Sequence, residues 1–216
     1  MKLPITITLL ACVLATCLDA RVGESLRQIE SRLINTSPRR AVEYNTEAFI
    51  EMLGKSKSDK PYQKLLDTLS EADIEFEAHY YWKTERPDRI ATSNDIEEKP
   101  SSGWDYHVFL YKGQSAIEFY RRLGKSLDNY ELQLLLEVNK SDAWTVVNKK
   151  DLPEERIFDY TYERADGRLR AVKVSNIGLL IYETALETKA AEMLAKASTA
   201  EDSDQKAAAP GAVLGF

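Results

Sequence analysis

The chain has 216 residues, with 35 acidic and 29 basic side chains and a net charge of −6. That balance repels phosphate backbones and argues against a nucleic-acid partner; Arg39-Arg40 and Arg121-Arg122 are isolated basic pairs that read as solvated surface. Both cysteines, Cys12 and Cys17, fall near the start, so a mature chain that loses this segment has no disulfide, no thiol nucleophile and no Cys-ligated zinc.

Lys2 followed by the apolar run from Leu3 to Leu14 has the order and length of a secretory signal peptide. It is shorter than the roughly 20 apolar residues of a comfortable membrane span, and no later stretch approaches that length. Ala20 offers the small residue that a signal peptidase wants. Residues 1–20 are therefore expected to be a signal peptide and the protein to be periplasmic or secreted. A second reading keeps Cys17. Leu14-Ala15-Thr16-Cys17 resembles a bacterial lipobox, with Thr16 where a smaller residue normally stands, and implies a lipoprotein anchored to a membrane through Cys17.

Residues 21–197 read as a single α+β domain. Val22, Leu26, Ile29 and Leu33 recur at helical spacing, and Ser25 with Gln28 forms a capping-box pattern. A shorter helix is expected over 45–54, with Phe49, Ile50 and Leu53 on one side and Gly54 as its stop. A third spans 59–72, with Asp59 as cap, Pro61 in its first turn and Leu65, Leu66 and Leu69 in its stripe.

The period then changes to two. Ile74, Phe76, Ala78, Tyr80 and Trp82 alternate with Glu75, Glu77, His79, Tyr81 and Lys83, the pattern of a half-buried strand. A long polar connection follows from Thr84 to Gly103. Residues 104–113 read as a central strand, apolar at nearly every position. Residues 114–123 and 127–139 are expected to be a helix pair, the second with an Asp128/Glu131 capping box. Residues 143–148 return to strand. Asp166-Gly167 predicts a hairpin turn between two β-rich arms. In its second arm Leu169 and Ala171 have the opposite parity to Val172 and Val174, which a bulge would explain. Residues 178–183 add a last strand, residues 184–197 a closing helix, and 198–216 a disordered tail. The expected fold is an antiparallel sheet of about five to six strands with helices packed on one face.

Ala20-Arg21-Val22-Gly23-Glu24-Ser25, Ile29-Glu30-x-Arg32, Tyr111 to Ser115, Glu131 to Asn139 before Trp144, and Asp166-Gly167 before a strand together cover most of residues 20–185. In these pieces the chain resembles small exported proteins of environmental bacteria, of the Verrucomicrobia type, whose function is unassigned. Its first half, with the third helix and the polar loop, departs from their shorter pattern. The order of elements is also distantly similar to the outer-membrane assembly lipoproteins and the β-lactamase inhibitor proteins. That likeness implies protein binding rather than catalysis, at the level of fold alone.

Catalysis has few candidates. The only histidines are His79 and His107. If their strands pair, the two could meet, with Glu75, Glu77 or Asp105 nearby, as an acid–base or metal site. There is no His-Glu-x-x-His, no Gly-rich phosphate loop and no Gly-x-Ser-x-Gly elbow, and no cofactor is implied. The polar strand face of Glu75, Glu77, His79, Tyr81 and Lys83 is a candidate binding surface. The leading expectation is a non-catalytic module that binds a protein or an envelope component. The alternative is a hydrolase or metal-binding protein using His79 and His107.

Overall fold

The computed structural model describes residues 21–44, 60–86, 89–97, 101–139, 142–153, 156 and 159–207. The predicted signal peptide with Cys17, the predicted helix over 45–54, the predicted cap Asp59 and residues 208–216 lie outside them.

The two longest strands build the centre. β3 (Gly103–Tyr111) and β4 (Gln114–Leu123) form an antiparallel hairpin. Its turn is Lys112-Gly113, at φ 53° and 79°. Two positive angles in a two-residue loop match the twist of the strands they join. The sequence pattern predicts a helix where β4 lies. Ile117 and Phe119 are buried on one face of β4, and Glu118 and Tyr120 on the other. A strand buried on both faces loses its period-two signature.

β2 (Glu77–Lys83) pairs with the outer edge of β3, and the short β1 (Ala41–Glu43) pairs with β2. The remaining strands are β5 (Trp144–Val146), β6 (Tyr162–Arg164), β7 (Leu169–Val174) and β8 (Gly178–Glu183). They return as a meander that lays β8 against β4. The sheet has eight strands, in the order β1-β2-β3-β4-β8-β7-β6-β5, every neighbouring pair antiparallel. β1 and β4 are the strands beyond the expected five to six. The hairpin at Asp166-Gly167 is present, but β7 pairs with β8 without a register shift. Leu169 and Ala171 belong to one core and Val172 and Val174 pack against the other, so mixed parity reflects two covered faces rather than a bulge. The register shift lies between Phe109 and Leu110 of the β3–β4 pair instead.

Helices cover both faces, not one. On the first, Leu65 and Leu69 of α2 (Gln63–Glu71) and Leu186 and Ala190 of α4 (Thr184–Ala207) join Tyr80, Phe109, Phe119 and Tyr182. On the second, Ile29 and Leu33 of α1 (Leu26–Leu33) and Leu132 and Leu136 of α3 (Asn129–Glu137) join Tyr81, Tyr106, Tyr120 and Ile181. Both capping pairs form. The Gln28 side chain accepts the Ser25 N–H at 2.8 Å, and Asp128 accepts the Glu131 N–H at 2.8 Å. α4 continues through residues 198–207, where a disordered tail is expected from composition. That stretch is polar but holds no Pro or Gly to stop a helix before Pro210.

Candidate functional site

The sheet separates the two histidines. His107 sits opposite Tyr80 in the β2–β3 ladder, while His79 sits opposite Val108. Directly paired residues share a face, so His79 and His107 point to opposite sides of the sheet and form no joint site. His107 is fully buried, with Nδ1 2.8 Å from the Tyr62 hydroxyl. Burial, with Arg121 and Lys60 nearby, pushes its pKa down to about 3, so it packs as a neutral core residue. Asp105 is on the same face, where it accepts the Tyr44 hydroxyl at 2.7 Å. His79 lies between two carboxylates, Nδ1 2.7 Å from Glu43 and Nε2 3.0 Å from Glu77. It ties β1 to β2. Among the described residues no group of three or more His, Cys, Asp or Glu could hold a metal ion.

The predicted binding face of β2 is not bare. Glu75 and Glu77 are exposed, but Tyr81 is fully buried beneath the second helical layer. Lys83, at the far end of that face, opens into a cavity of about 270 Å³. Gly103 makes this close pairing of β2 and β3 possible. Its φ is +99°, and a Cβ there would stand 2.6 Å from the Lys83 carbonyl oxygen.

The cavity lies between α1 and α3, over β2, β3 and β4. Three cations reach it: Arg21, Arg32 and Lys83. Burial, with Arg21, Arg32 and Arg40 around it, lowers the Lys83 ammonium to about 8. No carboxylate among the described residues forms a salt bridge with it. Arg32 reaches one oxygen of Glu24 through Nε at 3.1 Å and Nη2 at 2.6 Å. Its Nη1 is buried and has no hydrogen-bond partner among the described residues.

Glu131 is the acidic residue of the wall, and its charge is already met by Arg122 at 3.1 Å and Lys125 at 3.0 Å. The interior is therefore electropositive. Its aromatic floor is Tyr106 stacked on Tyr120, ring centres 4.7 Å apart. Trp104 stands beside them, with the Arg122 guanidinium 4.9 Å above its ring. Tyr120 donates to Glu118, a buried carboxyl whose pKa burial raises. Leu33, Leu134, Leu135 and Val138 close the walls.

Such a cavity can hold an anion attached to an apolar body. Of its lining, Lys83 alone belonged to the polar binding face read from sequence. Arg32 looked like one more charge on the polar face of an amphipathic helix. Two signals were nonetheless present: the run Leu134-Leu135-Leu136 is wider than a single helical stripe, and β3 is apolar at both parities. Asn139, just past the end of α3, is buried, and its Oδ1 accepts the Val22 N–H at 3.2 Å while its Nδ2 donates to the Leu135 carbonyl. No protein-family model, no curated protein and no solved structure matches this chain.

Proposed function

We propose that the protein is an exported, non-catalytic binding module of the cell envelope or its surroundings, and that its recognition site is the cavity between α1 and α3. The observation that carries this reading is the set of Arg21, Arg32 and Lys83 around an aromatic and aliphatic interior, with the one acidic wall residue already neutralised. A concave, mostly apolar site with a few convergent polar groups is the usual form of a small-molecule site. The export pattern at residues 1–20 and the resemblance to exported bacterial proteins supply the compartment. Among the described residues no helix is long and apolar enough to cross a membrane. The hydrolase reading needed both histidines in one site, and they stand on opposite faces of the sheet.

Cleavage after Ala20 would place the new α-amino group on Arg21, in the cavity wall. Mass spectrometry of the mature protein from cell fractions tests the export part: an Arg21 start outside the cytosol is expected, and a Met1 start in cytosol refutes it. Native mass spectrometry under mild conditions, with a thermal-shift panel of neutral, anionic and cationic amphiphiles, tests the binding part. If nothing co-purifies and nothing in the panel raises the melting temperature, the module reading fails.

A further inference from the structure

The cavity's chemistry narrows its ligand. Two of its cations, Arg21 and Lys83, are half-buried and form no salt bridge with a described carboxylate, while the third, Arg32, already pairs with Glu24. Charges taken out of water are kept when something pairs them. Among the described residues of the wall the carboxylate is Glu131, which is committed to Arg122 and Lys125. An anion entering from outside would supply the counter-charge that Arg21 and Lys83 lack.

Size and shape set the rest. A cavity of roughly 150 Å³ takes a benzene ring, so one near 270 Å³ takes about ten to thirteen heavy atoms. Trp104, Tyr106, Leu134 and Leu135 offer that body an apolar bed. Among the described residues the lining contains no run of glycines whose backbone N–H groups could cradle a phosphate. A guanidinium and an ammonium side by side suit one planar carboxylate.

We propose that this cavity binds an organic monocarboxylate with an apolar body of about ten heavy atoms, its carboxylate meeting Lys83 and Arg21 and its body lying against Trp104, Leu134 and Leu135. The inference rests on the reading that the cavity is the recognition site. Lys83 is the discriminating cation. Arg32 also pairs with Glu24 and supports the fold, so it is the poorer test.

Calorimetric titration of the full chain separates the outcomes, using 2-naphthoate and decanoate against their neutral counterparts 2-naphthylmethanol and decan-1-ol. At pH 7 at least one acid is expected to bind about tenfold or more tightly than its alcohol. Lys83→Met is expected to weaken the acid about tenfold while leaving the alcohol unchanged, and Arg21→Gln to weaken the acid in the same direction. Circular dichroism confirms that each variant is folded. Which acid wins tells an aromatic ligand from an alkyl one. If the alcohols bind as tightly as the acids, or Lys83→Met leaves the acid's affinity intact, the monocarboxylate proposal is overturned and the module reading stands. If neither acids nor alcohols bind, the monocarboxylate proposal falls, and the module reading falls with it only where co-purification and the amphiphile panel are blank as well.

Discussion

Lys83 carries a cost that its position explains. Burial among arginines lowers its pKa to about 8 from the ordinary 10.5. Between those values the unfolded chain holds the proton and the folded chain has released it. Stability attributable to this residue therefore rises with pH across that window, and the full penalty, about 3 kcal/mol, applies below pH 8. Lys83→Met is expected to raise the melting temperature at pH 7 and to gain much less at pH 10.5, as thermal melts at the two pH values will show. An equal gain at both would mean that the charge is not the cause. A substitution that stabilises the protein while weakening acid binding is the usual mark of a residue kept for function. His107 behaves differently. With its pKa near 3, below the ordinary 6.5, it resists protonation while the unfolded chain accepts it, so its contribution to stability is lost as pH falls from 6.5 toward 3. NMR of ring-labelled histidine should find His107 neutral down to pH 4; titration near 6.5 would contradict its burial.

At the scale of elements, the hairpin joining β3 and β4 depends on two residues at positive φ, and only Gly113 takes that angle freely. Gly113→Ala should cost about 1 kcal/mol in chemical denaturation, whereas Lys112→Asn should be neutral or mildly stabilising, because Asn-Gly favours this turn. The reverse order of effects would show that the turn is not of this type. Asp128 caps α3, which forms one wall of the cavity, so Asp128→Ala should cost about 1 kcal/mol and loosen that wall. Some elements were legible from local pattern alone: the strand β2, though not its covered second face, the Asp166-Gly167 hairpin, and the capping pairs at Ser25/Gln28 and Asp128/Glu131. β4 was not, because Ala116, Ile117, Glu118, Phe119 and Tyr120 are all buried and their mixed parity imitates a helix. Tyr81 looked solvated because Glu77 and Lys83 flank it on its face, yet the layer containing α1 reaches it.

For the whole molecule, the sheet divides the interior into two cores. Leu65 and Leu69 serve one, Leu132 and Leu136 the other. Leu65→Ala and Leu132→Ala should each cost about 2–5 kcal/mol, and the double variant should cost close to their sum, since the sheet stands between them. Marked non-additivity in denaturation experiments would show that the layers respond as one.

Local sequence determined the α+β class, the presence of strand β2, the Asp166-Gly167 turn and the helix caps, because each depends on residues within a few positions of one another. Tertiary structure decided how many strands the sheet has, which faces are covered, that the histidines are apart and that Arg21, Arg32, Lys83 and Trp104 meet. Those outcomes follow from pairing between segments distant in the chain. Which side of a strand is covered depends on helices packed from elsewhere, and no short window of residues contains that information.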